Sequence, residues 1–457
     1  MKKENLKTII LTLLIFSSVI LSIQIWILNP VWSERVNFLS YITERFNKQE
    51  GININDTGAF NSVFSPRAFV LTYNDGRLLF NTTEQKGQEI RNNFNQVILS
   101  ALSVKDGTEV SETEWQTLLK SSGIYADYSV SVSARAITEF LGGTPTDLPI
   151  LAFDQAVTVF DSIGNDMSVC FRNSKENKQY RVSLPEQKNI KEEYLRYQSG
   201  EKESYSYAFE INLDKKVTDS EVQQSVLMDS YVLVPIESVE MDIIKSETIE
   251  FDEKSIENLQ KLFGYNPKIA RKFIESNGNI LFIDRNSTLK LYPESGSVEY
   301  TASDGGMSLA GDGSLSSVAS GCAKLLDEIH KLFETDPSVT LFINSALTEK
   351  SDNSYIITFD YLFNGNLIQQ DTHSCKIVVE NGKIKSFFAT ISNYRLVEQA
   401  GNANALDAIA TLYTAQNKEI LVIDDLKTGY VNKKGNMEMQ WLATVDGQEK
   451  VITVPNN

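Results

Sequence analysis

The sequence predicts an α+β protein, with one N-terminal transmembrane helix followed by a multi-domain extracytoplasmic body of antiparallel sheets and helices. Three observations predict it. Residues 8–28 read TIILTLLIFSSVILSIQIWIL, without a charge. Beyond them, β-rich runs come in pairs about turn residues, as at Asn74-Asp75-Gly76, Asn381-Gly382 and Asp446-Gly447. Between those pairs lie stretches with apolar residues every three or four positions, as at 88–103 and 314–334. A chain of 457 residues is too long for one core, and its 42% hydrophobic and 23% charged residues argue against both disorder and a multi-span transporter.

The uncharged run has the length of a membrane span, because about 1.5 Å of rise per residue carries it across roughly 30 Å of hydrocarbon. Trp26 and Trp32 suit the far interface, and Asn29-Pro30 ends the helix. Lys2, Lys3 and Lys7 precede the run and no basic residue follows before Arg35. The positive-inside rule therefore places the N-terminus in the cytoplasm and the body outside the cell membrane, as a single-pass type II anchor. A cleaved signal peptide is the competing reading, but the run is long for one and no A-x-A-like site follows. Within the span, Ser18 and Ser22 have the spacing that lets two helices approach closely, and Gln24 carries an amide that favours a polar partner in lipid. These three residues are the candidate partner contacts. The alternative is hydroxyls bonded to their own helix and an amide wetted at the interface.

The tail and anchor occupy 1–33, and an N-terminal extracytoplasmic α+β domain is expected over 34–240. It opens with a juxtamembrane helix carrying Val36, Leu39, Ile42 and Phe46, then a polar linker. A hairpin follows from Phe69, then a helix with Ile90, Phe94, Val97 and Ile98 on one face, a short helix around Trp115, and strands at 125–132, 150–159 and within 161–184. The charged stretch 186–204 reads as an exposed loop or flexible helix. A central domain, 241–307, begins with a helix capped at Ser255, then a helix at 268–275 and strands at 279–284 and 287–292. The C-terminal α+β domain, 308–457, holds the helix at 314–334, strands at 339–347 and 354–363, a pair about Gly382, a helix opening at Asn402, and strands about Gly435 and Gly447.

Catalytic chemistry is hard to find. The net charge of −17 disfavours nucleic acid, which needs clustered cations. The two histidines are His330, inside a helical pattern, and His373, beside Ser374 and Cys375 on a strand approach. Neither arrangement is that of an assembled nucleophile and base. Cys170, Cys322 and Cys375 are far apart and read as small buried apolar residues. The glycines from Gly305 to Gly313 lack the G-K-[ST] of a phosphate loop, and GMSLAG around Ser308 is not a nucleophile elbow. Asp424-Asp425 is an expected coincidence among 60 carboxylates. No metal-ligand spacing occurs, so no catalytic residue, metal or cofactor is assigned.

Several segments resemble the YycH (WalH) family of membrane-anchored regulators of the cell-wall sensor kinase WalK (YycG) in Gram-positive bacteria. They are MKKENLKTIILTLLI with its downstream Trp and Pro, SPRAFVLTY, YVLVP, KLFGYNPKIAR with ILFIDRNSTLKLYP, and SFFATISNYRLV with GYV and MQWLATVDG. The resemblance implies a YycI-like C-terminal part. It also implies a non-enzymatic accessory role in a two-component system, exerted on WalK together with a YycI-like partner through membrane-helix and outer contacts. A second copy of the chain is a further candidate partner. The alternatives are a membrane-anchored cell-wall hydrolase and a ligand-binding sensor module.

Overall fold

The computed structural model describes residue 66 and residues 68–453, apart from 74–75, 83–84, 145–149, 161–165, 185–187, 198–204, 212–224, 285, 310–312, 314, 337–338, 349–353, 371–372, 417–419 and 434. The expected anchor and juxtamembrane helix lie outside the described residues. Among the described residues, no helix is long and apolar enough to cross a membrane. What is described is mixed α and β, and mostly sheet.

The first sheet is built from β1 (Ala68–Tyr73), β2 (Gly76–Asn81), β3 (Thr108–Glu109), β4 (Gly123–Ser133), β5 (Ala152–Phe160), β6 (Met167–Asn173) and β7 (Lys178–Leu184). They lie in the order β2-β1-β4-β5-β6-β7-β3. Alternation sends Phe69, Leu71 and Tyr73 of β1 to one face and Val70 to the other. Helix α1 (Gln85–Leu102) covers the first face with Ile90, Phe94, Val97 and Ile98, and Phe94 meets Phe69 edge-on at 5.3 Å. Helix α2 (Glu112–Lys120) covers the second with Trp115, Leu118 and Leu119; Ser111 caps it by accepting from the Glu114 N–H at 3.3 Å. Gly123 opens β4 because a Cβ there would collide with the Thr158 carbonyl. Helix α3 (Ala134–Phe140) follows β4, and α4 (Lys188–Tyr197) occupies the charged stretch left open as loop or helix. Among its described residues Tyr194 is buried and packs on Phe160 at 5.1 Å, which ties this charged stretch to the sheet as a helix.

Next come β8 (Tyr205–Tyr207), a 3-10 turn (Ala208–Glu210), β9 (Ser225–Met228) and β10 (Leu233–Pro235). The second sheet, 15-stranded among the described residues, uses β11 (Val239–Thr248), β12 (Arg271–Ile274), β13 (Ile280–Asp284), β14 (Ser287–Tyr292), β15 (Ser297–Ala302), β16 (Met307–Ser308), β17 (Val339–Thr348), β18 (Ser354–Phe363), β19 (Asn366–Ile368), β20 (Cys375–Glu380), β21 (Lys383–Thr390) and β22 (Ser392–Ala403). It continues, past β23 (Ile420–Ile423), with β24 (Asp425–Lys433), β25 (Asn436–Val445) and β26 (Gln448–Ile452). Its main path is β12-β13-β14-β15-β21-β20-β18-β19-β24-β25-β11-β22. The ladder between β15 and β21 ties strands from either side of position 307.

Two apolar clusters lie along this sheet. One gathers helices α5 (Glu253–Leu262) and α6 (Leu315–Leu332) over β13–β15, β20 and β21, with Leu259, Cys322, Leu326 and Phe387 fully buried. The other gathers helix α7 (Ala405–Gln416) over β11, β24 and β25.

Three local expectations change. The cap of α5 is Asp252, whose carboxylate accepts from the Ser255 N–H at 2.6 Å, so Ser255 lies in the first turn. That bond holds the Asp252 carboxyl below the usual carboxylate range. Helix α7 starts at Ala405 after Asn404, whose side chain accepts from the Leu406 N–H at 2.8 Å; Asn402 is still in β22. The helix expected at 268–275 is instead strand β12, because RKFI pairs with Ile280–Ile283 across the turn at Gly278 (φ 85°).

Candidate functional site

Ser18, Ser22 and Gln24 lie outside the described residues, so the site below is one that reading the sequence did not single out. It is a clasp formed by residues 205–211 and 225–235 over the outer face of the first sheet. β8 and β10 pair antiparallel, Leu233 opposite Tyr207, and Ala208 N–H donates to the Val232 carbonyl at 2.9 Å. The aromatic residues of this segment then lie against the sheet. Tyr207 is fully buried and meets Tyr125 edge-on at 5.8 Å; Phe209 stacks on Tyr207, and Tyr231 meets Trp115 edge-on at 6.5 Å.

Two arginines from the sheet hold the clasp down. Arg77 of β2 grips Glu210 through both fork nitrogens, at 2.7 and 2.9 Å, and its guanidinium lies 4.7 Å from the Tyr207 ring centre. Glu210 is oriented in turn by the Tyr207 N–H, which donates to it at 3.0 Å. Arg172 of β6 donates to Gln155 at 3.1 Å and lies 4.2 Å over Tyr231, whose hydroxyl donates to Glu112 at the start of α2. Burial raises the Tyr231 hydroxyl above its ordinary range, and the Glu112 carboxylate pushes it the same way. The far end of the segment, β9, pairs in parallel with β23, Val226 opposite Leu421. One stretch of chain thus grips the first sheet and adds a strand beside residues 420–423.

This arrangement joins the first sheet to the strand at 420–423. The carboxylates of Glu112 and Glu210 are already engaged, and the buried hydroxyl of Tyr207 and indole of Trp115 have no hydrogen-bond partner among the described residues. Sequence reasoning missed Arg77 and Arg172 because each sits in a run that reads as an ordinary strand. The available signal was in β6, MSVCFRN, whose seven residues are all buried: a cation inside such a strand needs an aromatic or anionic host.

The residues weighed for chemistry take structural places. Asp360 accepts from the Ser374 backbone N–H at 3.0 Å and from His373 Nδ1 at 3.3 Å, whereas the buried Ser374 hydroxyl has no partner among the described residues. Among the described residues, no nucleophile is therefore wired to His373. His330 Nδ1 lies 3.0 Å from the Thr335 hydroxyl and Nε2 3.1 Å from that of Tyr361. Burial depresses its pKa to about 4. All three cysteines are free and buried; burial drives the Cys170 thiol up to about 12 and those of Cys322 and Cys375 well above the ordinary range. Met307–Ser308 is a short strand on β21, and Asp424 accepts from the Gly447 N–H at 3.2 Å. Among the described residues, no three His, Cys, Asp or Glu side chains are grouped to hold a metal ion.

Residues 4–199 match the family model described as YycH protein, N-terminal domain. No curated protein matches the chain. Among solved structures, the crystal structure of YycH from Bacillus subtilis is similar with a TM-score of 0.57 at 14% identity, covering 86% of this chain and 96% of that one. At that identity the likeness shows the fold.

Proposed function

We propose that this chain, which belongs to the YycH family, is a membrane-anchored accessory regulator of a cell-wall two-component system, acting on the WalK sensor kinase together with a YycI-like protein. The observation that carries the reading is the family match itself, which begins at residue 4 and so includes the uncharged run 8–28 along with the first sheet. In this reading the run is a single span, the N-terminus is cytoplasmic, and the acidic body lies outside, with a C-terminal part similar to YycI. The body is not an enzyme. Ser18, Ser22 and Gln24 face the partner's membrane helix, and coupling of this kind changes a kinase's balance of states by about 1–3 kcal/mol. The clasp supports the reading, because a fixed relation between the first sheet and the C-terminal strands suits a body that must hold contacts made at the membrane and beyond it.

Exchanging residues 8–28 for an unrelated span of equal length tests it, with kinase output read from phosphorylation of its response regulator. Regulation is lost while the body is still displayed outside at its normal level. Unchanged regulation behind a foreign span defeats the membrane-helix contact, and cleavage of wall polymer by the purified chain defeats the non-enzymatic reading. Crosslinking from Ser18→Cys and Ser22→Cys variants captures the kinase or the YycI-like protein.

A further inference from the structure

We propose that β12 is a docking edge at which an acidic, extended segment of a partner protein adds a strand to the long sheet. β12 ends the sheet's main path: among the described residues it pairs with β13 and with nothing on its other side. The outward N–H and C=O groups of such an edge can be satisfied by water or by another strand. Its four residues are all exposed, with Phe273 at 49% and Ile274 at 69%. Pairing puts Arg271 opposite Ile283, itself 37% exposed, and Phe273 opposite Leu281, so two apolar side chains flank a guanidinium on one face while Lys272 and Ile274 share the other.

Charge identifies the occupant. In a chain of net charge −17, this edge offers two adjacent cations, and neither Arg271 nor Lys272 has an ion-pair partner among the described residues. The nearest carboxylate along the chain, Glu275, is held by Lys290 at 2.9 Å and by Asn279 at 3.1 Å, which keeps it below the usual carboxylate range. The rest of the acidic surface repels an acidic strand, and this edge attracts one. The other end of the main path, β22, is shaped differently. Its pairing with β11 is interrupted by two bulges, the usual way to discourage strand addition, whereas β12 runs in unbroken register with β13 and contains no proline. A partner segment alternating apolar and carboxylate side chains carries its carboxylates on one face: in one register they lie beside Lys272 with its apolar residues against Phe273, and slipped by one residue they lie beside Arg271 with its apolar residues against Ile274. The edge accepts such a strand whether or not the chain regulates a kinase.

The test uses the purified full chain in detergent micelles and fluorescent peptides of about ten residues. The peptides are an alternating valine–glutamate peptide, its lysine counterpart, and the glutamate peptide N-methylated along one edge. Fluorescence anisotropy shows the glutamate peptide bound, and the lysine and N-methylated peptides weaker by about tenfold or more. The double variant Arg271→Glu, Lys272→Glu loses the glutamate peptide and gains the lysine one, with its thermal melting unchanged. Equal binding of the N-methylated peptide overturns the proposal, since the contact is then not a strand ladder; so does equal binding by the reversed variant. A third result also overturns it: no peptide binds, while Arg271→Gln, Lys272→Gln makes the chain self-associate. The cations would then be guards against strand addition.

Discussion

Arg77 and Arg172 lie on the outer face of the first sheet at 9% and 7% exposure, each engaged by an aromatic ring and a polar side chain, whereas Arg271 and Lys272 at the end of the long sheet stand open to water. The two places differ in what surrounds the cation. At the first sheet, the clasp brings Glu210, Tyr207 and Tyr231 down onto the arginines, so Arg77 gains a carboxylate and each guanidinium lies against a ring. At β12 no described residue supplies the anion. Two regions of one acidic protein thus show a completed electrostatic contact, Arg77 with Glu210, and an uncompleted one, where the proposed partner strand would dock.

Breaking the completed contact should have the largest effect. Arg77→Ala removes both bonds to Glu210 and the ring contact with Tyr207, and should lower the stability of the transition that includes the first sheet by about 4 kcal/mol, measured by urea unfolding of the full chain. Arg77→Lys should recover only part of this loss, because an ammonium cannot reproduce the fork. The second effect is one of pH. His330 stays neutral in the folded protein down to about pH 4, whereas an unfolded histidine takes up its proton near pH 6.5. Its folded pKa is depressed, so the unfolded state binds the extra proton. Stability is unaffected above pH 6.5 and falls by about 3 kcal/mol as pH drops from 6.5 to 4. His330→Gln, compared with wild type across that window, should flatten this part of the profile. Removing the α5 cap with Asp252→Ala should lower the melting of the long-sheet region by a small amount, because the Ser255 N–H loses its acceptor. The smallest change is expected at the open edge: Arg271→Glu with Lys272→Glu should alter stability by less than about 0.5 kcal/mol. A large loss there would mean that these cations are engaged after all, and the contrast would collapse.

The sequence made the periodic elements readable. α1 and α6 were clear because their buried residues recur at helical spacing over five turns, and the hairpins about Gly382 and Gly447 because a residue before each glycine adopts positive φ, at Asn381 and Asp446. RKFI misled because four residues are too few to show a period, and its fate as strand or helix is decided by pairing with Ile280–Ile283. The clasp was illegible for a different reason. Its partners, Arg77 with Glu210 and Val226 with Leu421, are far apart in sequence, and nothing local in GRLLFN or SVLM says which distant residue will cover it. The sequence did place one set of residues correctly: the three cysteines are buried, as expected of small apolar residues.

The parallel pairing of β9 with β23 also bears on how the molecule is made. A chain delivered N-terminus first must wait, with residues 225–228 unmatched, until residues 420–423 have been synthesised. Contacts between such remote stretches form late and slowly. Prematurely terminated products would therefore display a bare strand next to an otherwise finished first sheet, a feature by which housekeeping proteases could tell incomplete copies from whole ones.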